Sequence, residues 1–232
     1  MGREPGPAVR PKKSQRDRLI RLAQAHPRWA WGFEDETWWS RLPQGGPALS
    51  AWGAAGRPLR VVEQAVAKSD PTPKALACYG LLVRQQGQPA GAAGRGAADT
   101  ERFWLRFVEG RPVSAVTTEF LAWSCAKLDA AEVPVLVLVW DNAGWHISAE
   151  VRAWIRAHNR AVKRAGRGVR LLVCYLPAKS PWLNAIEPKW VHGKRRVLEP
   201  NGLLTLAALE ARAYAAYDCP PEPHLTIPDE VA

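Results

Sequence analysis

The sequence has no long apolar run. Its longest strongly apolar stretch, 133–140, includes a proline, whereas a membrane-spanning helix needs about 20 apolar residues. No apolar segment that could form the core of a signal peptide follows the basic N-terminus. The sequence therefore predicts a cytoplasmic protein that does not act at a membrane.

Cysteines are few and widely separated. The chain has four, with no CxxC pair, and they lie mostly in apolar segments, as buried free thiols do. We expect neither a disulfide nor a zinc site from Cys78, Cys125, Cys174 and Cys219.

Acidic residues are also scarce. There are 22 Asp plus Glu against 32 Lys plus Arg, and the formal net charge is +10. This balance favours a polyanionic partner, although GC-rich coding could also explain a chain in which Arg far outnumbers Lys. With 47% hydrophobic residues the chain can form a core, which excludes a largely disordered or coiled-coil protein.

Hydrophobic periodicity predicts an α/β fold with a mixed five-stranded sheet flanked by helices. We expect three segments: a basic arm with a short linker helix (1–28), one main domain (29–219) and a loose Pro-rich tail (220–232). Ser14 is a plausible N-cap of the linker helix. The predicted strands are 29–36, 59–67, 75–83, 102–108, 133–140 and 169–176. The predicted helices are 14–25, 114–128, 148–165, 185–198 and 203–217.

Three acidic positions attract attention. Asp141 ends the most apolar strand, Asp35 ends an aromatic strand between two glutamates, and Glu187 lies in the first turn of a predicted helix. Taken singly, each has a simpler explanation as a turn residue, a solvated surface acid or a helix-start acid. Together they could supply the hard oxygen ligands of a Mg²⁺ pair.

The segments around these acids carry a family resemblance. FEDET, followed by Pro43 and Trp52-Gly53, surrounds Asp35; VLVLVWDNAGWH contains Asp141; and LPAKSPWLNAIEPKWVHGK contains Glu187. Together they resemble the motifs of DDE-type transposases of the mariner superfamily, especially its bacterial insertion-sequence branch. The resemblance covers about residues 29–200.

The resemblance implies a ribonuclease H-like fold and an enzyme, a metal-dependent DNA endonuclease and strand transferase. It makes Asp35, Asp141 and Glu187 the catalytic, metal-binding acids, for two Mg²⁺ ions with Mn²⁺ as a substitute. One ion would activate water or a 3′-hydroxyl and the other would stabilise the leaving oxygen. Its implied partners are double-stranded DNA, at element ends and target, and a second copy of the chain on that DNA. Because the implied partner is DNA, we expect the protein at the nucleoid within the cytoplasm.

Other residues are assigned around this site. Asn142, His146 and Asn184 are expected to orient ligands or contact phosphate, although His146 could equally be a structural histidine. For Trp182, packing over its loop is the alternative to DNA contact. For the seven bases in 152–170, the two hypotheses are a contact with the DNA backbone and a solvated helix face. The expected DNA contacts are Lys179, Trp182, Lys189, Lys194, Arg195 and Arg196.

Two features depart from the family pattern. Forty-five residues lie between Asp141 and Glu187, which is longer than usual, and only about 28 residues precede the first strand. Recognition of the element ends could therefore need a separate helix-turn-helix chain. The competing hypotheses are a truncated, non-catalytic DNA-binding or regulatory fragment and another ribonuclease H-like nuclease.

Overall fold

The fold is a five-stranded mixed sheet with helices on both faces, as the sequence predicts. The computed structural model describes residues 9–42, 69–87, 100–197 and 203–227. The strands are β1 Ala30–Ser40, β2 Ala75–Gln85, β3 Thr100–Val108, β4 Val135–Trp140 and β5 Arg170–Tyr175. Their order in the sheet is β3-β2-β1-β4-β5. Strand β2 is antiparallel to both β1 and β3, whereas β4 runs parallel to both β1 and β5. The helices are α1 Val9–Gln24, α2 Ser114–Ala130, α3 Ala149–Ala165, α4 Glu187–Val197 and α5 Leu206–Ala216.

Each face of the sheet has its own core. One cluster joins the sheet to α1, α4 and α5 and includes Trp31, Phe33 and Trp190. The other joins it to α2 and α3 and includes Phe120 and Ile155. β4 is buried at every position, which explains its uniform apolar sequence, since a central parallel strand is covered on both faces.

Strand β1 is longer than its sequence pattern predicts. It continues to Ser40 because it pairs with β2 along its whole length, whereas its pairing with β4 ends at Phe33 and Val139. Asp35 therefore lies inside β1 and not at its end. It follows the point where β1 separates from β4.

Helix α1 begins at Val9, earlier than predicted. Ser14 is consequently inside the helix and does not cap it. A hydrogen bond of 2.7 Å from Arg16 Nη1 to the carbonyl of Leu183 holds α1 against the rest of the chain. This long-range contact supports helical residues that local periodicity assigns to a flexible arm.

The beginning of the tail is also ordered by tertiary contacts. Leu225 is fully buried and exchanges backbone hydrogen bonds of 2.8 Å with Phe107 and Glu109 at the outer edge of β3. Residues 220–227 thus differ from the loose tail that the proline content suggests. The predicted strand 59–67 and the positions of Pro43 and Trp52-Gly53 lie outside the described residues.

The four cysteines are free thiols. Within the described ranges, no helix combines the length and the apolar composition that crossing a bilayer requires.

Candidate active site

Strand register brings two of the three predicted acids together. Phe33 pairs with Val139 at the last parallel position of β1 and β4. Two residues after this pair, Asp35 follows on β1 and Asp141 follows β4, at the point where the two strands have separated. Ligand sites in open α/β sheets form at this carboxyl end of the strands.

The third acid comes from the helix that covers this edge. Glu187 is the first residue of α4, and the same helix contacts β1 through Trp190, whose Nε1–H donates to Asp35 Oδ2 at 3.1 Å. Glu187 and Asp141 both line a cleft of about 160 Å³. Asp35 is not among the described residues that line it. The other lining residues are Asn142, Pro177, Ala178, Lys179, Ser180, Pro181 and Asn184.

Electrostatics nevertheless couples Asp35 to the cleft. Burial raises the pKa of Asp35 to about 8, together with the negative charges of Glu36, Glu187 and Asp141. Burial and the charge of Asp141 likewise raise the pKa of Glu187, while Lys194 opposes this shift. The three acids therefore repel one another in the absence of a cation, and their oxygens are the ligands that hard divalent ions prefer. A divalent metal fits this set of donors.

Asp141 is held in place by two hydrogen bonds to one of its oxygens. Oδ1 accepts from the backbone N–H of Ala143 at 2.8 Å and from His146 Nδ1 at 2.8 Å. Burial alone would raise the pKa of Asp141, but these bonds lower it below its usual value. Half of the side chain stays exposed, so Asp141 is ionised, oriented and accessible.

His146 connects Asp141 to acids that sequence reasoning did not select. Its ring is fully buried, and Nε2–H donates to Glu36 Oε1 at 2.9 Å, with Glu34 Oε2 at 3.2 Å. Burial lowers the pKa of His146, but Glu34, Glu36 and the hydrogen bonds outweigh it and raise the pKa to about 11. A protonated imidazole has no free lone pair for a metal. Although the ligand atoms of this cluster lie within 4.8 Å of one another, we interpret it as an ion-paired support for Asp141.

The signal that could have found Glu34 and Glu36 is the two-residue period of a strand. Because neighbouring side chains on β1 point to opposite faces, Asp35 faces α4 while the two glutamates face His146. Glu36 also accepts from Trp145 Nε1 at 2.8 Å. Glu34 is fully buried. Its Oε2 faces His146 as an ion-pair contact, but neither carboxylate oxygen accepts a hydrogen bond from the described residues. Burial raises the pKa of Glu34 well above the usual value.

Asn142 and Asn184 fix the backbone around the cleft. The amide of Asn142 donates to the carbonyl of Leu176, which joins the loop after β4 to the end of β5. The buried amide of Asn184 donates to the carbonyl of Glu34 at 3.0 Å and joins the start of α4 to β1. Both side chains also line the cleft.

The six predicted DNA-contacting residues have different surroundings. Trp182 is 67% exposed, which argues against the alternative that it packs over its own loop. Lys179 lines the cleft, and the charge of Lys194 reaches Glu187. Lys189 forms an ion pair with Glu101, and Arg196 donates to the carbonyl of Ala216 at 2.8 Å. Arg195 is exposed.

Comparison with known proteins identifies a family for this chain. The family model of DDE superfamily endonucleases matches residues 73–209, more than half of the chain. Asp141 and Glu187 lie within the match and Asp35 precedes it. A search among curated proteins finds no match.

Solved structures show the same fold. A Mos1 transposase paired-end complex with the left transposon end shares 13% sequence identity at a TM-score of 0.57, with 94% of this chain and 57% of that chain covered. The catalytic domain of Mos1 mariner transposase shares 12% sequence identity at a TM-score of 0.52, with 95% of this chain and 86% of that chain covered. The chain thus spans little more than half the length of the first of these. The ribonuclease H-like architecture is confirmed.

Proposed function

Because the chain belongs to the family of DDE superfamily endonucleases, we propose that it is the catalytic core of a transposase of an insertion sequence. It cleaves DNA at the ends of the element and joins them to target DNA. The observation that carries this proposal is the placement of three acids at one edge of the sheet: Asp141 and Glu187 share one cleft, and Asp35, two residues after the last β1–β4 pair, is close enough that, besides burial, both of their charges raise its pKa.

The acids would hold two divalent ions, Mg²⁺ or in its place Mn²⁺. Their mutual repulsion, visible in the raised pKa of Asp35 and Glu187, supports this assignment because a bound cation would relieve it. When bound, such ions activate a water or a 3′-hydroxyl and stabilise the leaving oxygen. One of the similar structures is a Mos1 paired-end complex with Mn, which is consistent with this metal.

The chain's own residues orient the acids. His146 and the N–H of Ala143 fix one oxygen of Asp141 and leave the other for a ligand. Asn184 holds the start of α4 to β1 and so keeps Glu187 close to Asp35. Since loss of such supporting bonds commonly costs 10–100-fold in metal affinity or activity, we place His146, Asn142 and Asn184 in a positioning role.

The DNA strand to be cut would lie over the cleft and the exposed surface of α4. Lys179 lines the cleft, Trp182 is exposed next to the cleft residue Pro181, and Lys189, Lys194, Arg195 and Arg196 follow on α4. Phosphate contacts of this kind fix position without reading sequence, and an exposed tryptophan can stack on a base. The Mos1 match is a complex with a transposon end, which supports DNA as the partner. We further propose a homodimer on DNA, with a separate helix-turn-helix chain recognising the element ends.

The test compares wild type with Asp141→Asn, which keeps the shape of the side chain and an acceptor for His146. Asp129→Asn, at an exposed position of α2, is the matched control. In Mg²⁺ or Mn²⁺, wild type and the control should nick a DNA duplex and transfer a 3′-hydroxyl oligonucleotide into a plasmid. Asp141→Asn should lose about 10³-fold in both reactions, since bound metal supplies several kcal/mol, while it still binds the duplex.

Two other outcomes would replace the proposal. If wild type and Asp141→Asn bind DNA equally and neither cuts, even with a helix-turn-helix chain supplied, the protein is a non-catalytic DNA-binding fragment. If wild type nicks DNA but never transfers a strand, it is another nuclease of this fold.

A further inference from the structure

Helix α3 carries a ladder of arginines that the proposed reaction does not use. Arg152, Arg156, Arg160 and Arg164 recur at every fourth residue and are all exposed, so they form one row about 18 Å long. Lys163 lies beside this row on α3, Arg167 and Arg170 follow the end of the helix, and no acidic residue occurs between Arg152 and Arg170. We call the surface formed by these seven bases the arginine face.

In the part of the chain that the structure describes, none of the seven bases of the arginine face forms an ion pair. Like charges four residues apart destabilise a helix, and Arg152 in the first turn also opposes the helix dipole. Lys163 and Arg164 in the last turn do suit the dipole, but the repulsion along the row costs stability, and a ligand would explain the whole row better.

The remaining exposed positions of α3 indicate what kind of ligand. After Glu150, every exposed residue of the helix is Arg, Lys or Ala. The guanidinium fork is well suited to phosphates, and this face has no exposed amide or aromatic side chain. Arginine can also bind guanine, so it is the alignment of four arginines in one row that favours the regularly spaced phosphates. Duplex DNA carries about one charge per 1.7 Å of its axis, so a stretch as long as this row carries about ten phosphates on its two strands, and the four arginines would contact those on the near side. The expected contact is independent of sequence.

The position of α3 separates it from the DNA surface already described. Its inner residues Val151 and Ile155 belong to the core on the α2 side of the sheet, whereas Trp190 and Val197 of α4 belong to the opposite core. Both helices nevertheless begin at the edge that carries the acids, α3 at Ser148 shortly after His146 and α4 at Glu187. Two basic surfaces thus lead away from one acidic site on opposite faces of the sheet.

We infer that the arginine face of α3 binds a second DNA duplex, the target, while the surface of α4 holds the strand that is cut. This inference rests on the proposed function, because strand transfer requires two duplexes at one site. It assigns to α3 a sequence-independent phosphate contact.

The experiment uses the full chain with four arginines neutralised, R152Q/R156Q/R160Q/R164Q. The matched control removes the same charge from dispersed exposed positions, R28Q/K74Q/R102Q/R111Q. A third variant, R152K/R156K/R160K/R164K, keeps the charge and guards against a loss of folding. Binding to a random-sequence duplex is measured from 50 to 200 mM salt with Asp141→Asn added to every protein, so that cleavage does not interfere. Nicking and plasmid strand transfer are measured without that substitution.

We expect the glutamine variant to lower the slope of log K against log salt by about 3 to 4, since each lost phosphate contact removes about 0.9. Its strand transfer should fall at least about 30-fold while nicking stays within about threefold, and the lysine variant should retain most of both. The dispersed control should change the slope by less than about 1.

The remaining outcomes are distinct. If the glutamine variant and the dispersed control behave alike, the inference is wrong and the transposase proposal is untouched. If the slope falls selectively but no protein nicks DNA, the arginine face is a duplex-binding surface and the proposed function fails. If wild type binds no duplex, the inference is overturned.

Discussion

His146 lies between carboxylates on both sides of its ring, and single-residue changes should be most informative there. His146→Gln removes a buried cation and leaves Glu36 without its ion-pair partner. Breaking a buried ion pair costs about 3–5 kcal/mol, so we expect a loss of this size in the free energy of unfolding at pH 6. The exposed His192→Gln should change it by less than about 0.5 kcal/mol.

The pKa of His146 predicts how this loss of stability depends on pH. The pKa of His146 is raised to about 11 in the folded protein, so its contribution is complete below the unfolded value of about 6.5 and decreases as pH rises toward 11. The difference between wild type and His146→Gln, measured by denaturant unfolding, should therefore be largest at pH 6 and smaller at pH 9. An equal difference at both pH values would contradict an ion-paired role.

Removing the charge of Asp35 should have the opposite effect on the free energy of unfolding. Its folded pKa of about 8 lies above the usual value, so the folded state binds more protons and metal-free stability falls as pH rises from about 4 to 8. Asp35→Asn keeps an acceptor for Trp190 and removes the charge. At pH 8 without metal it should raise the free energy of unfolding by about 1 kcal/mol, or Tm by about 2–4 °C, and abolish cleavage. Near pH 4 the gain should vanish; a loss of stability at pH 8 would refute the electrostatic argument.

At the scale of elements, α3 should be improvable as a helix. Arg156→Glu replaces two like-charge pairs, with Arg152 and Arg160, by two attractive pairs, each worth about 0.2–0.5 kcal/mol. We expect thermal unfolding to show a gain of about 1 kcal/mol, whereas Arg111→Glu, outside any helix, should give none. Unchanged stability of Arg156→Glu would mean that the arginines do not repel one another appreciably.

The elements also show how far the sequence could be interpreted. The buried run of β4, the amphipathic α3 and the helix after Asn184 were predictable because their patterns are local. The last residues of β1, the first turns of α1 and the burial of Leu225 were not, since each depends on a partner distant in the chain: β2, the Leu183 carbonyl and the edge of β3.

The residues of the candidate site likewise include some that the sequence predicts and some that it does not. Asp35, Asp141 and Glu187 could be selected from motifs, and register and the cleft support their meeting. The support by Glu34, Glu36 and Trp145 was not anticipated, although strand alternation placed both glutamates on the face opposite Asp35. Their contact with His146 depends on how the loop after β4 folds back, which periodicity does not describe.

For the molecule as a whole, a net charge of +10 attracts DNA. The three acids of the candidate site, in contrast, repel phosphate and one another until a cation binds. Divalent ions should therefore stabilise the folded protein itself. At a concentration 100 times the Kd, linkage gives about 2.7 kcal/mol, or roughly 5–10 °C in Tm for a chain of this size. The measurement is thermal unfolding of wild type and Asp141→Asn in MgCl₂ or MnCl₂, with NaCl of equal ionic strength as the control.

Only wild type should gain the full shift, because Asp141→Asn removes a charged ligand from the site. At a limiting metal concentration the shift should grow from pH 6 to pH 8, since protons compete with the metal for Asp35, whose pKa is about 8. A shift of equal size in Asp141→Asn would place the stabilising metal elsewhere in the protein. A shift in wild type that is independent of pH would separate metal binding from Asp35.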